Sequence, residues 1–128
     1  MDTESPGSVI DSLGKAWNAG DARAFAGFFT EDADLVNIHG MHLHGRQAIA
    51  GLYEMLFRSV FDGSHVKCSI AAERTLRPQV MLLQMKVALS VPAGKMAGSH
   101  NALATVVMVR EQAHWRIESL HNTLVTAA

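Results

Sequence analysis

The chain has 128 residues, of which 48% are hydrophobic and 18% are charged. A chain of this length is typical of one domain and can bury enough apolar surface to fold without disulfides or metal ions. Eleven basic and twelve acidic residues give a net charge of −1, which argues against binding to nucleic acid or to an anionic membrane surface. The single cysteine, Cys68, excludes an internal disulfide, and the alternation around it predicts a buried small hydrophobic side chain.

The first third of the chain predicts two helices. Apolar residues at helical spacing follow Ser8, which forms a capping-box-like start with Asp11, and Gly20 is placed to end this first helix. Asp21 is placed to cap a short second helix. The start of the chain is polar and acidic, unlike a secretory signal, and no apolar run approaches the ~20 residues that span a bilayer. We therefore expect a cytoplasmic protein with no membrane segment.

The rest of the chain predicts one more helix and a series of strands. A polar turn at 30–32 precedes a short strand at 34–38 and a strand-like piece at 41–44. The helical period returns over 46–61, and the period then becomes two. Four strands are predicted in this last part, at 65–73, 80–91, 100–110 and 115–123.

This order of elements predicts an α+β fold. Strands joined by short connections favour an antiparallel sheet over parallel βαβ units. A strand of twelve residues at about 3.3 Å each reaches ~40 Å, so the sheet must twist and curl through bulges. We predict a cone-shaped α+β barrel in which three N-terminal helices pack in a strongly curved antiparallel sheet, with a hollow inside. Its domain spans 8–124, between an arm at 1–7 and a tail at 125–128.

Four segments carry a family resemblance: WNAGD at 17–21, FFTEDAD at 28–34, GRQAI at 45–49 and WRIESLHNT at 115–123. They resemble SnoaL-like domains of the nuclear transport factor 2-like superfamily, most closely the SgcJ/EcaC-type subset, over nearly the whole chain. The superfamily includes ketosteroid isomerases, polyketide cyclases, dehydratases, epoxide hydrolases and proteins without a known reaction. The resemblance therefore implies the fold and leaves the reaction open.

Matching to the ketosteroid isomerases argues against their reaction. Their catalytic Asp corresponds to Asn37, whose amide cannot accept a proton near neutral pH. Their oxyanion-stabilising Tyr on the first helix corresponds to Leu13, and no carboxylate occurs within 100–109 to match their second acid. Tyr53 is the remaining match.

The candidate site combines residues of the first and last strands. Leu35, Asn37 and His39 share one strand face, which the resemblance turns into the cone. Asn37 could bind a ligand carbonyl and His39 could act as acid or base, or both could satisfy backbone groups at the strand end. On the last strand His121 shares a face with Trp115, and a bulge would decide whether that face points inward. The predicted catalytic residues are His39 and His121. The predicted lining consists of Leu13, Trp17, Phe25, Leu35, Asn37, Tyr53, Met85 and Trp115.

The histidines His39, His42 and His44 raise the question of a metal site. His42 and His44 share a face, but His39 lies across a turn at Gly40, and no carboxylate lies between Asp34 and residue 54. We expect solvated histidines, no metal and no cofactor.

Both faces of the strand at 80–91 are partly apolar, which predicts a second layer of protein on the outer side. The resemblance points the same way, and we expect a homodimer that buries roughly 1,200–2,000 Å².

Three functions remain open. The first is acid/base chemistry on an apolar carbonyl-bearing ligand, with the oxyanion bound by Asn37 and Tyr53; the second is a carrier of a small apolar molecule; the third is a dimerisation module with a filled interior.

Overall fold

The computed structural model describes residues 4–126. Two helices are followed by two strands, a third helix and four long strands. In chain order they are α1 (Pro6–Asn18), α2 (Ala22–Gly27), β1 (Phe29–Val36), β2 (His42–His44), α3 (Arg46–Phe57), β3 (His65–Arg77), β4 (Val80–Val91), β5 (Gly98–Glu111) and β6 (His114–Leu124). Residues 4–126 contain no helix with the length and hydropathy of a membrane span.

Helix α1 begins earlier than predicted. Its N-cap is Ser5, whose Oγ accepts from the Ser8 N–H at 3.1 Å, while the Oγ of Ser8 accepts from the Ser5 N–H at 3.0 Å. The prediction of Ser8 as the cap is wrong because Pro6, which suits a first helical position, allows the helix to start there. The predicted arm at 1–7 thus overlaps the start of α1. The outermost parts of the predicted arm and tail, residues 1–3 and 127–128, lie outside the described residues.

Helix α2 begins as predicted. The Oδ1 of Asp21 accepts from the Ala24 N–H at 3.0 Å, and Gly20 provides the left-handed turn after α1 with φ +66°. The predicted polar turn at 30–32, however, belongs to β1. Thr30 is buried there and its hydroxyl donates to the Glu118 carboxylate at 3.0 Å, so a tertiary contact overrides the local turn preference.

The six strands form one curved sheet in the order β2-β1-β6-β5-β4-β3. Neighbouring strands are antiparallel except β1 and β6, which are parallel. The prediction of a wholly antiparallel sheet is therefore wrong at this pair. A hairpin makes two consecutive strands antiparallel. β1 and β6 are separated in sequence by five other elements, so no hairpin fixes their relative direction.

Register shifts interrupt the long strands. Two occur between β3 and β4, at Ile70/Ala72 and Thr75/Arg77, and one occurs between β5 and β6, at Val107/Met108. Such shifts bend the strands, as their length requires. The helices and one face of the sheet bury a single core.

The end of α1 is tied to the edge strand β3. The side chain of Asn18 donates to the Val66 carbonyl at 3.0 Å and accepts from the Val66 N–H at 2.7 Å. These bonds satisfy backbone groups that an edge strand would otherwise leave unpaired.

Candidate functional site

A cavity of about 250 Å³ lies between the helices and the inner face of the sheet. Its wall is almost entirely apolar. The lining side chains come from all three helices, the long strands and the turn after β1, and they include Leu13, Trp17, Phe25, Leu35, Asn37, His39, Tyr53, Cys68, Met85, Leu120 and Asn122. Among residues 4–126, the lining contains no Asp, Glu, Lys or Arg.

Trp17 organises the aromatic part of the wall. Its indole N–H donates to the Ser64 hydroxyl at 2.9 Å, so its one polar atom is already paired. The ring centroid lies 5.1 Å from Phe57, 5.6 Å from Tyr53 and 5.9 Å from Phe25, in edge-to-face arrangements that aromatic rings favour. Trp17 therefore offers only apolar surface to the cavity and holds its neighbours in place.

Tyr53 brings a polar atom to this apolar wall. The residue is buried and belongs to the cavity lining. Burial raises the pKa of Tyr53 to about 12 because the phenolate would lose its hydration. The group is therefore a neutral phenol at physiological pH and can donate a hydrogen bond.

Asn37 closes the turn between β1 and β2. Its Oδ1 accepts from the His39 N–H at 2.9 Å and from the Met41 N–H at 3.0 Å. The sequence left open whether Asn37 binds a ligand or satisfies backbone groups, and the structure shows that its Oδ1 does the latter. The same two bonds fix the amide plane, and the Nδ2 donor has no acceptor among the described residues.

Asn122 is the site residue that the sequence did not reveal. The parallel register pairs Leu35 with Leu120 and Val36 with His121, so the next residues along the two strands, Asn37 and Asn122, are neighbours on the cavity side. The Oδ1 of Asn122 is buried and has no hydrogen-bond partner in the described part of the chain. Two amides thus stand side by side at one end of an apolar cavity.

His121 does not share the cavity with His39. In β6, Trp115 and Ile117 are buried, but after the register shift the next buried residue is Leu120, so His121 is exposed on the outer face. The bulge changes which set of side chains points inward. His39 lies exposed in the turn at the cavity mouth, and the two histidines are not brought together.

Trp115 lies outside the cavity. It is buried at the start of β6, where the Arg110 guanidinium lies 6.0 Å from its ring centroid. Seven residues of strand separate it from Asn122, a distance of ~23 Å. The remaining predicted lining residues all border the cavity.

Two methionines border the cavity and reach the surface. Met41 in the turn before β2 is 50% exposed, and Met55 on α3 is 57% exposed. Unbranched thioether side chains adapt readily to different shapes. The rim can therefore adjust to an entering molecule.

This architecture, a curved α+β sheet around an apolar cavity, defines a cystatin-like domain. The chain belongs to the SnoaL-like domain family, whose sequence profile matches residues 10–76. No protein with curated annotation is significantly similar to it in sequence.

Solved structures with the same fold are numerous. A domain of unknown function from Nostoc punctiforme with a cystatin-like fold is 27% identical, with a TM-score of 0.85 over 94% of this chain and 75% of that one. An NTF2-like protein from Novosphingobium aromaticivorans is 22% identical, with a TM-score of 0.82 over 95% and 80% of the two chains. A protein from the same organism, named provisionally as a scytalone dehydratase, is 13% identical, with a TM-score of 0.78 over 93% and 80%. At such identities the last two establish the fold alone.

Proposed function

We propose that the protein binds a small, mostly apolar molecule in the cavity and holds its uncharged polar group at the end formed by Asn37 and Asn122. The unpaired amide of Asn122 carries this proposal. A buried polar atom without a partner costs about 1–3 kcal/mol, so a ligand that supplies one gains that free energy.

The size of the cavity limits the ligand. An apolar cavity of about 150 Å³ binds benzene, so the ~250 Å³ found here suits a molecule of roughly ten non-hydrogen atoms. Movement of Met41 and Met55 at the rim would admit a longer one.

The polar groups limit its chemistry. The Nδ2 of Asn37 and the hydroxyl of Tyr53 are donors, and the Oδ1 of Asn122 is an acceptor. A hydroxyl group or a primary amide complements both kinds of atom. A carboxylate does not fit, because the lining residues within 4–126 include no Lys or Arg to offset its desolvation.

Binding can be measured with the W115F variant, which leaves Trp17 as the single tryptophan. Quenching of Trp17 fluorescence by benzamide, benzyl alcohol, ethylbenzene and benzoate reports occupancy of the cavity. We expect the first three to bind and benzoate not to. Replacing Asn122 with Leu should lower the affinity for benzamide roughly tenfold, which corresponds to the loss of about one hydrogen bond. The affinity for ethylbenzene should stay unchanged. Equal effects on both probes would contradict a role of the amide in recognition.

Acid/base catalysis on a carbonyl-bearing ligand is the second candidate. His39 is the one histidine among the lining residues of the described chain, and an imidazole can act as a general acid or base. Tyr53 and Asn37 supply donors for an oxyanion. Native mass spectrometry of the purified protein separates the two functions. A bound molecule that returns unchanged after prolonged incubation supports a carrier, and its conversion supports an enzyme.

We also propose that the domain pairs as a homodimer through the outer face of β4 and β5, since the resemblance to SnoaL-like domains, many of which pair through the outer sheet, points the same way. Leu103 is 42% exposed on this face, and Leu82 pairs with Val107 beside it, both partly exposed. Sedimentation equilibrium should give a dimer that L103D dissociates, while Q47D, an exposed change on α3, leaves it intact. A wild-type monomer at micromolar concentration would disprove the dimer.

A further inference from the structure

The outer face of the β1–β2 hairpin brings together three side chains that the cavity does not use. Asp34 pairs in register with His44, and Val36 pairs with His42. Because strand side chains alternate, these residues point away from the cavity, opposite to Leu35.

The carboxylate of Asp34 contacts both imidazoles through one oxygen. Its Oδ1 lies 2.7 Å from Nε2 of His42 and 2.9 Å from Nδ1 of His44. One potential ligand atom from each side chain lies within 4.8 Å of the other two. From these contacts we infer that Asp34, His42 and His44 form a binding site for a divalent transition-metal ion of the Zn²⁺ type.

The spacing suits such an ion. Zinc bound at about 2.0–2.1 Å in tetrahedral geometry places neighbouring ligand atoms roughly 3.3 Å apart. The carboxylate and imidazole atoms would each move apart by about half an ångström as the metal replaces the shared protons. The side chains have this freedom, since they are 45%, 57% and 61% exposed for Asp34, His42 and His44.

The backbone beneath the three side chains is well held. β1 lies between β2 and β6, the Gly45 N–H donates to the Ala33 carbonyl at 2.7 Å, and Asn37 closes the turn. The charges of Asp34 and, more weakly, Asp32 act on His44, and negative charge at this position attracts a cation.

Two imidazoles and one carboxylate leave coordination positions for water, so the site would be open. The sequence prediction considered His39 as the third ligand and therefore expected no metal. The hairpin register instead supplies Asp34, while His39 lies in the turn.

Isothermal titration calorimetry of the tag-free full chain with Zn²⁺ tests the site. We expect one ion per chain, and a loss of affinity of roughly tenfold or more in each of D34N, H42Q and H44Q. H39Q and H114Q, which change other exposed histidines, should bind as the wild type does. Co²⁺ should give an absorption spectrum that H42Q/H44Q abolishes.

Zinc binding that survives in H42Q/H44Q, or is absent from the wild type at millimolar Zn²⁺, would overturn the inference. Circular dichroism verifies that the variants fold. The outcome is independent of ligand binding in the cavity, because the three side chains lie on the outer face of the β1–β2 hairpin.

Discussion

Replacing Asn122 with Leu should stabilise the ligand-free protein. The change removes a buried amide oxygen that lacks a partner and keeps a side chain of similar size against the apolar wall. An unsatisfied buried polar group costs about 1–3 kcal/mol. For a domain of this size, 1 kcal/mol corresponds to roughly 4 °C in Tm, so we expect a rise of about 4–12 °C.

The same substitution at Asn18 is a matched control with the opposite expected sign. Asn18 pairs both backbone groups of Val66, which is buried. In N18L these groups lose their partners, which should cost on the order of 2–5 kcal/mol. Urea unfolding and calorimetry measure both variants. If N122L destabilises the protein, the Asn122 amide has a structural partner and the reasoning is refuted.

Three further predictions concern single residues. Tyr53 is the only tyrosine, so tyrosinate absorbance should titrate near pH 12 in the folded protein. Because this folded pKa exceeds the ordinary value of about 10, the contribution of Tyr53 to stability should fall by about 2 kcal/mol between pH 10 and 12, and Y53F should remove this part of the fall. Burial raises the pKa of Cys68 to about 11, so a thiol reagent should modify it slowly until the chain is unfolded, and rapid modification of the native protein would contradict its burial. If the cavity is catalytic, H39A should reduce turnover severalfold or more without changing Tm. H121A should change neither turnover nor Tm, because His121 lies on the outer face. Loss of turnover in H121A would place the reaction outside the cavity.

Local patterns predicted much of the fold. The start of α2 at Asp21 and both ends of β4 follow from capping and alternation within a few residues. The length of the late strands predicted bulges, because their curvature is a property of the strands themselves. Such features depend on neighbours in sequence, which a single sequence displays.

The candidate site depended on contacts that local patterns do not contain. The parallel pairing of β1 with β6 places Asn122 beside Asn37, and the bulge opposite Val107 turns His121 outward. Either feature could be located only from the pairing of strands distant in sequence. By contrast, the contact of Asp34 with His44 could have been predicted, since a hairpin whose midpoint is His39 aligns them.

Asn37 connects the cavity to the outer face of the hairpin, and two substitutions can separate its roles. Its Oδ1 stabilises the turn between β1 and β2, and its Nδ2 is the donor offered to the cavity. N37D keeps an acceptor for the two backbone N–H groups and loses the donor, so it should bind Zn²⁺ as the wild type does while benzamide binding falls. N37A loses both, and the loosened hairpin should weaken Zn²⁺ as well as benzamide. Unchanged Zn²⁺ affinity in N37A, measured by the same calorimetry, would mean that β2 is held in register without the Asn37 turn.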